Sequence, residues 1–236
     1  MGSAFVLDDV SFSYPGTGSA VLDIPKLCIE CGERVFIQGD SGSGKTTLLS
    51  LLSGVASPSK GKVSILGIED FSGLSSSHRD AVRAQHIGFI FQMFNLIPYL
   101  SVLENVLLGV QFSSERASIA SSKGSLRTEA KRLLKRLGLS DEELLLRKVT
   151  ELSVGQQQRV SAARALIGSP EIIIADEPTS ALDFNSRKLF LDLLISECNE
   201  SGSTLIFVSH DSSLASHFDR VISMSDFSGA KNSELA

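Results

Sequence analysis

The sequence predicts an α/β protein with a mostly parallel sheet, an antiparallel β part at the N-terminus and an inserted helical subdomain. Three observations lead there. A short apolar strand, Arg34-Val35-Phe36-Ile37-Gln38, feeds directly into a glycine-rich loop that opens a helix. Beyond residue 170, apolar strands alternate with helices, the pattern of a parallel sheet covered on both faces. Between these parts, from about Ser75 to Gly168, the texture is helical. A chain of 236 residues can bury a substantial core as one domain. The pattern divides it into an α/β core of residues 1–86 and 169–236 and a helical subdomain of residues 87–168.

Taken in order, Phe5 to Tyr14 is β-rich, Pro15-Gly16-Thr17-Gly18 is a turn, and Leu27 to Cys31 is a second apolar run. Lys45 to Gly54 carries leucines at 48, 49, 51 and 52 and reads as a buried helix. Ser57-Pro58-Ser59-Lys60-Gly61 breaks it, and Lys62 to Leu66 is a strand. Ser113 to Ser125 is Ser-rich and reads as a mobile loop. Leu126, Ala130, Leu133, Leu134 and Leu137 recur at helical spacing, with Lys131, Arg132, Lys135 and Arg136 on the other side. Such a basic face touches lipid headgroups or an acidic partner or, more commonly, is only the wet side of an amphipathic helix. The last part gives a strand at 171–176, a helix from Ser186 to Glu200, a strand from Thr204 to Ser209, a helix, and a strand from Arg220 to Met224.

Net charge is −5 with the acids dispersed, which argues against nucleic acid as a partner, because phosphate backbones attract clustered Lys and Arg. No apolar run approaches the roughly 20 residues that cross a bilayer. The N-terminus lacks the basic start and apolar core of a secretory signal. Val6 fills the position where a myristoylation motif wants Ser or Thr. A soluble, cytosolic chain is expected. Cys28 and Cys31 form a C-x-x-C, but no second pair completes a four-ligand zinc site, and with Cys198 alone all three read as structural.

The chemistry begins at Gly39-Asp40-Ser41-Gly42-Ser43-Gly44-Lys45-Thr46, followed by Thr47. It follows a strand and opens a helix, the context of a P-loop NTPase core. The glycines let backbone N–H groups curl around an anion, and the helix N-terminus adds a favourable dipole. Lys45 reaches terminal phosphates and the Thr46 hydroxyl suits Mg²⁺. Ile172 to Asp176 is an apolar strand that delivers a carboxylate at its C-terminal end, where ligands sit in such sheets. Asp176 suits the Mg²⁺ shell, and Glu177 is placed to polarise an attacking water as general base. Two adjacent acids at a strand end also fit an ordinary helix cap; the upstream loop favours the catalytic reading. Gln92, just after Ile87-Gly88-Phe89-Ile90-Phe91, carries an amide able to reach both metal and water. His210, after Leu205-Ile206-Phe207-Val208, is a second candidate γ-phosphate contact. Taken alone, each is as readily structural.

With Leu152-Ser153-Val154-Gly155-Gln156-Gln157-Gln158-Arg159 lying between the two nucleotide motifs, the chain resembles the ATP-binding subunit of an ABC transporter over nearly its whole length. The resemblance implies that Leu152 to Gln156 is the signature, with Ser153, Gly155 and Gln156 facing the γ-phosphate held by an opposite subunit. Gln92 becomes the Q-loop residue, His210 the switch histidine, and Ser180-Ala181-Leu182-Asp183 the D-loop. Tyr14, twenty-five positions before Gly39, resembles the aromatic that stacks on adenine, or is a strand-end core tyrosine. The family implies a head-to-tail dimer with two ATP molecules sandwiched in it; an identical chain is the expected second subunit, with a different ATPase chain as the alternative. It also implies Mg²⁺, an integral membrane permease, and a place on the cytoplasmic face of the inner membrane. Val154 departs from the family's usual glycine, and a β-branched residue there is expected to restrict backbone that approaches phosphate.

Phe91-Gln92-Met93-Phe94-Asn95-Leu96-Ile97-Pro98-Tyr99-Leu100, then Leu103-Glu104-Asn105-Val106, and the Gln156 to Arg159 ending resemble the macrolide-exporter and lipoprotein-release subfamily. Its permeases act mechanically on substrates in the periplasm or outer leaflet, and Met93 to Leu100 is a candidate seat for a permease helix or is helical-subdomain core. The ATPase of a cell-division regulator and that of a solute importer remain alternatives. A DNA-repair or chromosome-organising ATPase needs a long coiled-coil insertion that this chain does not carry.

Overall fold

The computed structural model describes residues 2–16, 19–122 and 124–227. Eight strands run β1 (Ser3–Phe12), β2 (Leu22–Glu30), β3 (Arg34–Gln38), β4 (Lys60–Ile65), β5 (Ile87–Ile90), β6 (Ile172–Asp176), β7 (Thr204–Val208) and β8 (Arg220–Ser223). Eight α-helices run α1 (Lys45–Leu52), α2 (Ser76–His86), α3 (Val102–Leu107), α4 (Ser114–Ser121), α5 (Leu126–Arg136), α6 (Glu142–Leu146), α7 (Val154–Leu166) and α8 (Phe184–Ser201). Two compact units form, one of residues 1–83 and 206–236 and one of residues 84–205, and the chain passes between them within α2 and β7.

In the first unit an antiparallel sheet has the order β2-β1-β4, with Leu7 opposite Leu27 on one side and Val63 on the other. Its strands bury alternate residues, Phe5, Leu7, Val10 and Phe12 in β1 against Leu22, Ile24, Leu27 and Ile29 in β2. β2 therefore starts at Leu22, earlier than the apolar run at 27–31 suggests. Pro25 masks it, but β2 is an edge strand, where a missing N–H is tolerated. Thr17 and Gly18 of the expected turn lie outside the described residues. β3 pairs in parallel with β8, Val35 opposite Arg220 and Gln38 opposite Ser223, and Ile37 accepts from the Ser209 amide after β7 at 3.2 Å. α1 buries Thr47, Leu48, Leu49, Leu51 and Leu52, which seats the loop before it on the core. The segment expected as a helix before β8 is a 3-10 helix, Ser212–His217.

In the second unit β5 and β6 pair in parallel, Ile87 opposite Ile172 and Ile90 opposite Ala175. The segment 87–168 thus opens with a sheet strand before its helices. α7 buries Val160, Ala162, Ala163, Ala165 and Leu166, and α3 and α5 pack against it.

Ser113 to Ser125, expected as a mobile loop, contains α4, capped by Ser113, whose Oγ accepts from the Arg116 amide at 3.2 Å. The physical reason is Arg116, only 4% exposed. Its guanidinium donates to the Ile167 carbonyl at 2.6 and 3.2 Å, to Ala165 at 2.9 Å, and to Ile87 and Ala84 at 3.3 and 3.4 Å. These include the last, otherwise unpaired carbonyls of α7. Burial pulls the Arg116 pKa down to about 10, so it stays charged at neutral pH.

On the basic face of α5, Lys131, Arg132 and Arg136 are ion-paired. Arg132 pairs with Glu129 at 2.9 Å and Glu197 at 3.2 Å, Arg136 pairs with Glu197 at 2.7 Å and with Glu200, and Lys131 pairs with Glu142 at 2.6 Å. These charges fasten α5 to α8 and α6. Among the described residues no cluster of His, Cys, Asp or Glu could hold a metal, and no disulfide joins Cys28, Cys31 or Cys198. Burial pushes the Cys198 thiol up to about 12, which keeps it protonated and unreactive.

Candidate functional site: a phosphate cradle and a capped signature helix

The first unit supplies a cradle. The chain leaves β3, turns through 39–44 and enters α1 at Gly44, which has φ +93° and so needs no Cβ. At Gly39 a Cβ would lie 2.5 Å from Ser43 Oγ and 2.8 Å from Met224 Cβ, so only glycine lets the loop close this tightly. Lys45 Nζ donates to the Gly39 carbonyl at 2.6 Å and to Asp40 at 3.0 Å, tying the helix start across the loop. Ser43 Oγ is buried and has no hydrogen-bond partner. A buried hydroxyl left unpaired beside converging amides at a helix N-terminus is what a phosphate oxygen would satisfy.

A cavity of about 470 Å³ opens beside this loop, lined by Gly39, Asp40, Ser43, His210 and Met224 among others. The structure therefore brings His210, an exposed residue, to the cradle. Tyr14 comes there too: its hydroxyl lies 2.9 Å from Thr47 Oγ1, its ring meets Phe12 edge-on at 5.0 Å, and it is 49% exposed. A ring half in solvent, latched beside the phosphate loop, can take a flat base on its face. Thr46 is exposed, whereas Thr47 is buried in α1, so its side chain serves the helix and the Tyr14 latch. Ser41 and Gly42 lie at the exposed crest.

The second unit supplies carboxylates and a second helix N-terminus. β6 ends at Asp176, and the next residue, Glu177, is 8% exposed and sits at φ +45°. A buried, non-glycine residue in the left-handed region costs of order 1–3 kcal/mol, strain that persists where the fold needs the side chain in one place. Gln92 follows β5 and is exposed.

Ser153 caps α7 through a capping box: its Oγ accepts from the Gln156 amide at 3.3 Å, and Gln156 Oε1 accepts from the Ser153 amide at 2.9 Å. Val154 is the first helical residue, on the negative-φ side and 47% exposed. The first turn of a helix accepts a β-branched residue at small cost. Gly155 lies over Leu182, where an added Cβ would sit 3.5 Å from Cδ2. Asp183 caps α8, accepting from the Ser186 amide at 3.0 Å, and these Ser186 contacts hold its carboxyl below the usual range.

A larger cleft in this unit, about 540 Å³ and lined by α4, α5 and the end of α8, contains no motif residue. Sequence reasoning missed Arg164, whose guanidinium grips the segment after Gln92, donating at 2.6 Å to each of the Phe94 and Asn95 carbonyls. Its signal was faint: one cation on the otherwise small and apolar run 160–167.

A glycine cradle after one parallel strand, an acidic pair after another and a capped helix between them in sequence define a P-loop nucleotide-binding α/β protein. The chain belongs to the ABC transporter family, whose model matches residues 22–180. It is 43% identical over 206 residues to the macrolide export ATP-binding/permease protein MacB of Burkholderia thailandensis, covering 87% of this chain and 30% of that one. It thus spans about a third of the length of the MacB relatives. It is 41% identical over 203 residues to the ABC transporter ATP-binding protein YbbA of Escherichia coli K12, covering 86% and 85% of the two chains. Among solved structures, the dimeric bacterial ABC transporter cassette MJ0796 superposes with a TM-score of 0.80 at 37% identity, over 93% of each chain. A post-hydrolysis dimer of the same cassette, bound to ADP and Pi, gives 0.80 at 36% identity.

Proposed function

We propose that the chain is the motor of a membrane machine: two copies close head-to-tail on ATP, hydrolyse it, and drive a separate permease of the exporter or lipoprotein-release type from the cytoplasmic face of the inner membrane. The observation that carries this is the split of phosphate-binding groups between two helix N-termini. The cradle of 39–46 has an unpaired buried Ser43 hydroxyl, and the capped start of α7 carries Ser153 and Gly155. One chain offers two anion-binding ends, and a head-to-tail pair would bring the cradle of one chain and the signature end of the other to the same nucleotide.

In this reading Tyr14 stacks on adenine and the amides of 39–46 hold the phosphates. Lys45 swings from the Gly39 and Asp40 carbonyls to the terminal phosphates. Thr46, Asp176 and Gln92 offer the oxygen donors of a magnesium site, a cation that keeps few protein ligands and takes the rest from water and phosphate. Mg²⁺, when bound, neutralises charge on the phosphates. Glu177 accepts the proton of the attacking water, His210 donates to the γ-phosphate, and Ser153, Gly155 and Gln156 complete the charge stabilisation from the opposite chain. Asp183 fixes the start of α8 beside this helix. The exposed Met93 and Tyr99 fit the seat of a permease helix.

The subfamily resemblance and the MacB matches favour the exporter or lipoprotein-release machinery over an importer or a cell-division regulator. The test is Glu177→Gln in ATP: hydrolysis falls while binding persists, and the variant elutes as a dimer. Undiminished hydrolysis would remove Glu177 from the reaction.

A further inference from the structure

We propose that Arg164 is a positioning residue that clamps the Gln92 segment onto the signature helix, so that Gln92 and the start of α7 move as one body. The inference rests on the role proposed above for Gln92.

Four observations support it. First, Arg164 Nη1 and Nη2 donate to two consecutive carbonyls, Asn95 and Phe94, at 2.6 Å each, and Ser161 Oγ, one turn earlier on α7, donates to the Phe94 carbonyl at 3.3 Å. Burial lowers the Arg164 pKa, as for a cation removed from water to make these bonds.

Second, the two gripped residues are themselves strained. Phe94 has φ +59° and Asn95 φ +49°, a left-handed pair without glycine that would open if the carbonyls were not held.

Third, the far end of the segment is also fixed. Asn105, fully buried, donates to the Ile97, Leu100 and Ser101 carbonyls at 3.1, 3.3 and 3.0 Å and accepts from the Ile97 amide at 2.8 Å. The backbone of 94–101 is thus held from inside, while Met93 and Tyr99 project outward, 80% and 74% exposed.

Fourth, Arg164 and Gly155 belong to the same helix, about 14 Å apart along it at 1.5 Å per residue. A push on Met93 or Tyr99 is therefore delivered through two charge-assisted hydrogen bonds to a rigid helix. The groups so coupled are Gln92, two residues before the clamped carbonyls, and Ser153-Val154-Gly155 at the start of the helix.

Arg164→Lys keeps the charge but cannot form the two-carbonyl fork. In the purified chain with ATP and Mg²⁺, kcat is expected to fall roughly 10- to 100-fold, the scale of a misplaced reacting geometry. KM for ATP should stay within about twofold, because the cradle lies in the other unit and binds substrate and transition state alike. In Gln92→Ala the same Arg164→Lys change should cost almost nothing further. Full additivity of the two losses overturns the inference while leaving Gln92 in the site; an unchanged kcat for Gln92→Ala overturns both. Equal loss of kcat and ATP affinity in Arg164→Lys marks general destabilisation and also overturns it. If Arg164→Lys does not fold, Ser161→Ala replaces it: a lower kcat that vanishes in Gln92→Ala supports the clamp, and a kcat matching the parent overturns it.

Discussion

The cradle of the first unit and the signature region of the second offer an anion the same device, the amides of a helix start, yet they are assembled by opposite means. The cradle is local: the residues that shape it are contiguous from Gly39 to Thr46, and its internal bonds span five and six residues. The signature region is non-local. Arg116 reaches 49 and 51 residues along the chain to the end of α7, and Arg164 reaches back 69 and 70 residues to the Gln92 segment. A site made from contiguous backbone can bind in isolation. A site hung on long-range arginine contacts can be moved by whatever touches those contacts, which suits the half of a motor that must answer a partner.

The largest effect expected of any change is in the cradle. Lys45→Ala removes the only cation of the loop, and ATP hydrolysis should fall by about 10²–10³-fold, measured as phosphate release. In the second unit, Arg116→Met should leave motif chemistry in place but orphan several buried carbonyls at a cost of about 3–5 kcal/mol. At about 2–4 °C per kcal/mol, thermal melting should show a drop of roughly 6–20 °C. A drop under 2 °C would show that water replaces the guanidinium.

Val154→Gly sharpens the contrast from the other side. Because Val154 is an exposed first-turn residue, turnover should change less than about twofold, apart from a small helix-propensity loss. A large rise would reinstate the steric restriction inferred from sequence.

The smallest effect concerns β3 and β8. Asp219 accepts from the Arg34 amide at 2.9 Å and from Arg34 Nε at 3.0 Å, which holds its carboxyl below the usual range. A lowered folded-state pKa contributes stability above the ordinary aspartate value near 3.9, lost as pH falls through the folded value. Since both side chains are partly exposed and screened, Asp219→Asn should cost no more than about 1 kcal/mol in urea at pH 7, and the difference should shrink on acidification.

What the sequence made legible follows the same division. Arg34–Gln38 was readable to the residue because five apolar or flanking positions run into a glycine loop. The signature and the acidic strand end were readable because their chemistry is written in adjacent letters. β2 was read short because Pro25 breaks the strand pattern, and only the pairing of β1 shows that β2 is an edge. The Ser-rich stretch 113–125 read as a loop because serine is a poor helix former; its helix rests on Ser113 as cap and on Arg116, whose acceptors at 165 and 167 no local window contains. Arg132 and Arg136 looked like a basic face because their partners Glu197 and Glu200 lie some sixty residues on.

In the proposed dimer each nucleotide lies between the cradle of one chain and the signature helix start of the other, so a site is complete only when two chains meet. Mixing two inactive variants tests it most directly: Lys45→Ala, which keeps an intact signature, and Gly155→Asp, which keeps an intact cradle. Each alone should be inactive, and ATP hydrolysis should return on mixing, since the mixed dimer contains one complete site. A mixture as inactive as its parts, with mixed dimers confirmed to form, would contradict it.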